Sequence, residues 1–328
     1  MKSLQLYVVC LGIFFCFFST NIYGQVETDS SFVKSFERDN IIEIYPGVYA
    51  TKFSFTNPFR SRGDFRLVAN SSAYAGFYFN YKWLSVKYSW ALPGTRLDKN
   101  VKLKFTDLQF RFNTNRMSFH PFYEAYNGLL FQPARRRRSF ETFRDIMFTS
   151  AGTDLLYYFN ASAFSHRAAN YFSEMQLKTS SSFFILATPQ WQQIKWVNPP
   201  QQMTIKDSTA TRLLVSNPSW ISVSVNGGYQ HNFVFKKGLF SISPAIAAGG
   251  GLLKETNLGK NSIKPVLSAR GWINIGYNGQ LFYAYLNAAS LVTQSKLAIR
   301  QMTKSSSDYS LTFGYRFDSY HKKIAGIL

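Results

Sequence analysis

Cysteine is almost missing from this chain, and both cysteines, Cys10 and Cys16, fall in the first apolar stretch. The rest of the chain therefore offers no disulfide framework, no thiolate metal ligand and no cysteine nucleophile. Charge is also scarce, since charged residues make up 16 % of the chain, against roughly 25 % in a soluble domain. Acidic residues are the rarest charged type, with 17 against 37 basic ones. Such a chain has little charge to spread over a soluble surface and much aromatic surface to hide.

Long apolar runs are missing after Gln25, so the sequence predicts no membrane-spanning helix there. The start of the chain does contain such a run, because Lys2 is followed by "LQLYVVCLGIFFCFF" and then by the polar "STNIYGQ". A charged start, an apolar core and the small residue Gly24 are typical of a secretory signal peptide over residues 1–24. A membrane anchor helix is the alternative. We therefore expect export through a cleaved signal peptide.

Alternation of apolar and polar residues is the main pattern of the remaining chain. The segments "WLSVKYSWAL", "WISVSVN" and "YSLTFGYRF" each place apolar side chains on one parity and polar side chains on the other. This period of two predicts strands with one apolar face and one polar face. The strands are predicted at about 41–56, 64–80, 83–92, 102–113, 117–127, 153–164, 174–187, 219–235, 239–250, 267–277, 280–290 and 309–317.

The predicted connections alternate in length. Short turns such as Asn278-Gly279 alternate with long polar connections, among them Leu252–Val266 and Val292–Asp308. Short turns at one end and long loops at the other are typical of an outer-membrane barrel. The predicted fold is therefore an all-β, antiparallel transmembrane barrel of about 12 strands with short periplasmic turns and long surface loops. Its predicted parts are a periplasmic N-terminal segment at 25–40, the barrel at 41–317 and a C-terminal tail at 318–328.

Three segments carry a family resemblance: "YAGFYFNYKWLSVKYSWAL", "YYFNASAFSHRAANYFSEMQLKTSSSFFILA" and "FGYRF". The chain resembles an uncharacterised outer-membrane β-barrel family, a domain of unknown function found in Bacteroidetes-type bacteria. Two residues depart from the expected pattern, since His166 stands in place of an aromatic residue and Asn170 in place of Phe. The resemblance implies an outer-membrane barrel and assigns no activity to any residue.

Four consecutive arginines, Arg135, Arg136, Arg137 and Arg138, fall in a predicted long surface loop. Arginine binds phosphate bidentately, so one interpretation is contact with lipopolysaccharide phosphates. The alternative is a solvated loop without a dedicated ligand. Nucleic acid is not expected as a partner, because a signal peptide takes the chain out of the cytoplasm. The expected partners are outer-membrane lipid, lipopolysaccharide and the machinery that inserts barrels.

The polar parity of the predicted strands is expected to face the barrel lumen. The charged residues of that set are Lys87, Asp107, Arg111, Glu174, Lys178 and Arg316. They are interpreted as a salt-bridged filling of a narrow barrel, with a charged pore lining as the alternative.

No catalytic constellation, metal-ligand cluster or cofactor motif is recognisable, so none is predicted. Ser165 and His166 are adjacent, and adjacent side chains of a strand point to opposite faces. The expected function is a non-enzymatic outer-membrane barrel, acting as a narrow pore, a lipid- or glycan-binding barrel or a structural barrel. The alternative is a barrel hydrolase or acyltransferase acting on lipids, which requires a serine and a histidine to meet on one face.

Overall fold

A closed antiparallel β-barrel accounts for most of the computed structural model, which describes residues 28–56, 64–70, 73–82, 84–95, 97, 104–133, 146–197, 213–257, 263–297 and 300–318. The barrel strands are β2 (Asn40–Thr56), β4 (Ala73–Tyr81), β5 (Leu84–Ala91), β6 (Lys104–Phe110) with its short continuation β7 (Phe112–Asn113), β8 (Met117–Asn127), β10 (Ile146–Tyr158), β12 (Ser180–Trp196), β13 (Ser219–Phe235), β14 (Phe240–Glu255), β15 (Ile263–Asn278), β16 (Phe282–Leu297) and β17 (Arg300–Phe317). Shorter elements lie outside this ring or between its members. They are the strands β1 (Val33–Ser35), β3 (Phe65–Ala69), β9 (Leu129–Pro133) and β11 (Glu174–Gln176), helix α1 (His166–Tyr171) and a 3-10 turn at Lys236–Gly238.

The ring closes because the last strand pairs with the first. β17 and β2 are antiparallel, from Gln301 opposite Thr56 to Phe317 opposite Asn40. Every other barrel strand pairs with its neighbours in chain order, and all these pairings are antiparallel. The predicted fold class, a 12-stranded antiparallel barrel, is confirmed. None of the helices in the described ranges is long and apolar enough to cross a membrane.

Several predicted boundaries are wrong. The predicted connections Leu252–Val266 and Val292–Asp308 lie largely within strands β14 to β17. Their polar residues, which face inward or lie near strand ends, resemble those of a loop. They nevertheless form strands, because backbone pairing with neighbouring strands is sufficient at these positions. The predicted strand 64–80 is two strands, β3 and β4. The predicted strand 174–187 is likewise divided, into β11 and β12.

The two barrel ends differ. One, here called the short-turn end, carries the turns β4–β5, β13–β14 and β15–β16 and both ends of the described chain. The other, here called the loop end, carries the connections after β2, β5 and β12.

Side-chain direction is inverted relative to a soluble protein. Large apolar side chains point outward and are exposed, for example Ile44 at 62 %, Ile246 at 68 % and Leu267 at 61 %. The carboxylates of the barrel strands all point inward: Glu43, Asp107, Glu124, Asp154, Glu255 and Asp308. An apolar outer face and a polar interior are what a barrel in a lipid bilayer requires.

Tyrosine rings lie flat against inward-facing glycines. Tyr283 is paired across β16 and β17 with Gly314, and its ring occupies the space that a Cβ atom at Gly314 would need. Tyr74 covers Gly47 in the same way across β4 and β2. Each glycine is therefore required by close approach of a ring, so a side chain there would displace the tyrosine.

An apolar cluster, here called the apolar cap, fills the lumen at the loop end. β3 pairs antiparallel with the loop-end part of β2, and β9 pairs with β3. Phe55, Phe65 and Phe131 stack in series, with ring centroids 4.7 and 5.2 Å apart. Inward side chains of the barrel wall complete the cap: Phe53, Phe148, Ile194, Trp196, Trp220, Leu253, Leu297 and Met302, together with Leu213 and Leu214. Each such side chain stabilises the fold by about 1.5–3 kcal/mol on burial.

Candidate functional site

Below the apolar cap the lumen contains a polar cavity of about 410 Å³. Its lining combines tyrosines and amides with groups of both charges. The charged lining residues are Glu43, Lys87, Asp107, Arg111, Glu124, Asp154, Arg270, Lys304 and Asp308. A cavity with this lining suits water or a small polar solute and does not suit an apolar ligand.

Two ion pairs cross the cavity. The guanidinium of Arg270 lies 2.6 Å from Asp154, whose other oxygen accepts a hydrogen bond of 2.7 Å from Thr188. The ammonium of Lys304 lies 3.3 Å from Glu124, reaching from β17 to the opposite wall. Such pairs hold opposite walls of the barrel together and narrow the lumen, and both are sheltered enough to be screened less than surface pairs.

A second group surrounds Lys87. Its ammonium lies 4.9 Å from the centre of the Tyr45 ring. Asp107 accepts from the side-chain amide of Gln109 at 3.2 Å, and Asp308 accepts from the Tyr74 hydroxyl at 2.6 Å. The carboxylates here are therefore held by neutral donors and the ammonium by an aromatic face.

Arg111 lies between two tyrosine rings at the floor of the cavity. The guanidinium centre is 4.4 Å from the Tyr78 ring and 4.6 Å from the Tyr171 ring. Since Tyr171 belongs to helix α1, this stack attaches the helix to the barrel wall. Burial raises the pKa of Tyr171 to about 12, so its hydroxyl stays neutral at physiological pH.

Residues 159–179, here called the plug, fill the lumen at the short-turn end. Helix α1 begins after Ser165, whose hydroxyl caps the amide of Ala168 at 3.0 Å. The Asn170 carboxamide accepts hydrogen bonds from Trp272 at 2.9 Å and from Gln230 at 2.8 Å. The plug is therefore hydrogen-bonded to one side chain on β13 and to another on β15.

The N-terminal segment joins the plug. β1 pairs with β11, with Val33 opposite Gln176. Next to this pair, Glu174 accepts from the Ser165 hydroxyl at 2.6 Å and lies 3.0 Å from the guanidinium of Arg167. The segment before the barrel and the plug within it are thus one hydrogen-bonded unit.

Arg316 fastens this unit to the barrel. Its guanidinium donates to the carbonyl oxygens of Gly279 and Phe172 and, at 2.7 Å, to Asn278. It also lies 3.6 Å from the centre of the Phe36 ring. Arg316 is 0 % exposed. One side chain therefore connects β17, the β15–β16 turn, the plug and the N-terminal segment.

The sequence-predicted lumen set divides into two groups. Lys87, Asp107 and Arg111 line the cavity, and Arg316 is buried at the short-turn end. Glu174 and Lys178 were predicted to lie in a barrel strand at 174–187. This prediction is wrong, because the chain up to residue 179 belongs to the plug. Glu174 is buried in β11, whereas Lys178 lies outside the strands, where its ammonium is 3.2 Å from Ser31.

Further predicted features fall elsewhere. The arginine run Arg135–Arg138 and the predicted signal peptide lie outside the described residues. Ser165 and His166 are in the plug and do not belong to a strand. The Ser165 hydroxyl donates to a carboxylate, while the His166 ring stacks on Tyr158 with centroids 4.8 Å apart. Among the described residues, no hydrogen bond joins a serine hydroxyl to a histidine ring.

The two departures from the expected family pattern have structural roles. The flat stack of His166 on Tyr158 fills the place of an aromatic side chain. Burial lowers the pKa of His166 to about 3, so the ring is neutral. Asn170 provides the polar contacts with the wall that a phenylalanine could not make.

Several cavity residues were missed from the sequence. Glu43 was hidden because both faces of β2 read as apolar, with Ile42 and Ile44 outward and Ile41 and Tyr45 inward. Lys304 was hidden in a stretch read as a loop. The missed charged residues are Glu43, Glu124, Asp154, Arg270, Lys304 and Asp308. No alternation marked Lys304 and Asp308, because residues 300–308 are polar on both parities apart from Met302.

The geometry defines a closed 12-stranded barrel with a polar cavity, a plug at one end and an apolar cap at the other. The profile of the domain of unknown function DUF4421 matches residues 27–317, and the chain belongs to this family. No curated protein is significantly similar to the chain in sequence.

Solved outer-membrane barrels are similar in fold at low sequence identity. The outer membrane protease OmpT from Escherichia coli is 9 % identical with a TM-score of 0.40, covering 88 % of this chain and 100 % of that chain. The COG4313 outer membrane channel from Pseudomonas putida F1 is 9 % identical with a TM-score of 0.37, covering 87 % and 97 %. The outer membrane protein OprG from Pseudomonas aeruginosa is 9 % identical with a TM-score of 0.26, covering 89 % and 100 %. No activity is transferred from them.

Proposed function

We propose that this chain is a non-enzymatic outer-membrane barrel whose lumen is closed in the resting state. The observation that carries the proposal is the division of side chains between the two faces of the barrel wall. Apolar residues cover the outside, while the strand carboxylates point into a lumen filled by the plug and the apolar cap. A bilayer makes such an outer face favourable, and hydrogen-bond donors and cations in the interior make buried carboxylates tolerable.

The proposed cellular context extends the sequence interpretation. The chain is exported through the signal peptide at 1–24 and inserted by the barrel-insertion machinery of a Bacteroidetes-type bacterium, with its loop end at the cell surface. There Arg135–Arg138 contact lipopolysaccharide phosphates. Nucleic acid is no partner of a protein in this location.

A closed lumen favours a structural or solute-holding barrel over an open pore. The plug contacts the wall through Asn170, Tyr171 and Arg316, and the apolar cap blocks the opposite end. Conduction therefore requires the plug to leave and the cap to rearrange. The cavity between them accommodates a small polar solute.

The test combines fractionation with conductance. The protein should co-sediment with outer-membrane fragments and migrate faster on gels unheated than heated, as closed barrels do. In planar bilayers it should show no steady current, whereas a variant that lacks residues 160–178 and also carries Phe55→Ser and Phe65→Ser in the cap should produce channels. Recovery in the soluble periplasmic fraction without detergent would refute the membrane assignment. A steady current from the intact protein would refute the closed lumen.

A further inference from the structure

Five outward-facing lysines form a ring at the loop end of the barrel, here called the lysine collar. They are Lys52 on β2, Lys104 on β6, Lys195 on β12, Lys254 on β14 and Lys296 on β16. All five are exposed. Each lies within the five strand residues nearest the loop end. Because the lysines sit on five strands spread round the wall, the collar surrounds the barrel.

Strand register connects two members of the collar. Lys104 is opposite Asn127, Asn127 is opposite Met147, and Met147 is opposite Lys195. Two lysines on β6 and β12 therefore share one row of paired residues. Lys254 lies one residue before the end of β14, as Lys195 does in β12.

The collar coincides with the upper edge of the apolar outer face. Leu252 is 59 % exposed and lies two residues before Lys254 on the same outward parity. Val292 is 42 % exposed and lies four residues before Lys296. Apolar side chains thus give way to ammonium groups over about one or two outward positions, at the depth where lipid headgroups begin.

Among the residues that the structure describes, none forms a salt bridge with a collar lysine. The strand carboxylates face inward. Five positive charges on one boundary attract an external anion.

The opposite boundary has a different composition. Outward aromatic rings mark the short-turn end, including Phe235, Phe240, Phe282 and Tyr315, each at least 39 % exposed. Lysines there lie in turns, where Lys82, Lys236 and Lys237 have left-handed backbone conformations. Anchoring at a membrane boundary is thus achieved by aromatic rings at one end. The ammonium groups at the other end require a separate reason.

We infer that the lysine collar binds the phosphate groups of anionic glycolipid headgroups in the surface leaflet. Lipid phosphates are anions found at the required depth all round a barrel. Lysine suits them as a compact charge on a flexible stem that reaches up from the apolar face. This inference rests on the proposed function, since it needs a barrel in the outer membrane with the loop end outward. It concerns strand residues distinct from Arg135–Arg138.

The test uses the full-length folded protein in neutral detergent, with phosphorylated and dephosphorylated lipid A as probes. The triple variant Lys195→Gln, Lys254→Gln, Lys296→Gln removes three collar charges. Its matched control, Lys82→Asn, Lys236→Asn, Lys237→Asn, removes three charges at the other end, because asparagine tolerates the left-handed conformation of those turns. At about fivefold per lysine, the collar triple should bind phosphorylated lipid A on the order of 100-fold more weakly at low salt. The control should bind as the wild type does, and arginine at the three collar positions should preserve binding.

Several outcomes would overturn the inference. Equal weakening in both triple variants would show that net charge alone matters. Equal binding of dephosphorylated lipid A by the wild type would exclude the phosphate as the recognised group. Displacement of the lipid by inorganic phosphate at comparable concentration would show that a free ion, and not a headgroup, is bound. If the wild type fails to fractionate with outer membranes, the proposed function fails; if it fractionates and the collar triple binds lipid normally, only the collar inference fails.

Discussion

Removing the Arg316 guanidinium is expected to release the plug. Its three acceptors are carbonyl or amide oxygens on the plug and on the β15–β16 turn, and Phe36 stacks on its face. Removing the shared donor leaves these buried neutral oxygens unpaired, which costs about 1–3 kcal/mol for each of them. If about 4 kcal/mol is lost from plug docking, the released population rises about 1000-fold. Arg316→Ala should therefore give faster protease cleavage within residues 159–179 of the folded barrel, measured by limited proteolysis.

Two companion variants make this result interpretable. Arg316→Lys retains a charge but cannot donate to three separated acceptors, so it should give an intermediate effect. Arg38→Ala removes an exposed arginine at the same end, paired with Asp318 at 3.0 Å, and should change stability by less than about 1 kcal/mol. The reasoning is refuted if Arg316→Ala folds into a heat-modifiable barrel whose plug is as protected from protease as in the wild type.

Two other predictions concern the interior. Gly314→Ala places a methyl group inside the ring of Tyr283 and should destabilise the barrel by about 1–3 kcal/mol in urea titration. Gly227→Ala, whose new methyl group meets nothing within 4 Å, should leave the stability unchanged. Equal effects of the two substitutions would contradict the close-approach argument. The second prediction concerns His166, whose pKa is lowered from 6.5 to about 3 in the folded protein. Between these two pH values the unfolded chain binds more protons than the folded one. The stability of the fold therefore falls as the pH drops through that window. The loss should reach about 2 kcal/mol near pH 5, and His166→Phe, which keeps the stack on Tyr158, should abolish that part of the pH dependence measured by unfolding at pH 5 and 7.

The alternation of apolar and polar residues predicted the barrel, but it misplaced the ends of several strands. Where outward residues are apolar and inward residues polar, as from Ser219 to Phe235, the period of two predicted the strand ends as observed. Where the polar loop end of a strand resembled a loop, as from Val292 to Asp308, the prediction failed. Such segments are strands because neighbouring backbones pair with them, and sequence pattern does not record that pairing.

The charged interior could be predicted only where its strand was recognised. Lys87, Asp107 and Arg111 lie on clearly alternating strands and line the cavity. Glu174 and Lys178 had the same alternation in sequence, but the chain there turns inward. A short amphipathic stretch has the same pattern in a barrel wall and in a plug. The strand with which it pairs, here β1 for β11, decides where it lies.

The sequence by itself determined that a chain with a period of two after Gln25 forms an antiparallel barrel, because side chains alternate between faces whatever the partner strand. Tertiary structure decided that the plug is attached to the barrel wall, since Arg316 donates to the plug residue Phe172 from 144 positions away. It also gathered five lysines from five strands into one collar. Both depend on strand register and on closure of β17 against β2, which arise from backbone hydrogen bonds between distant segments.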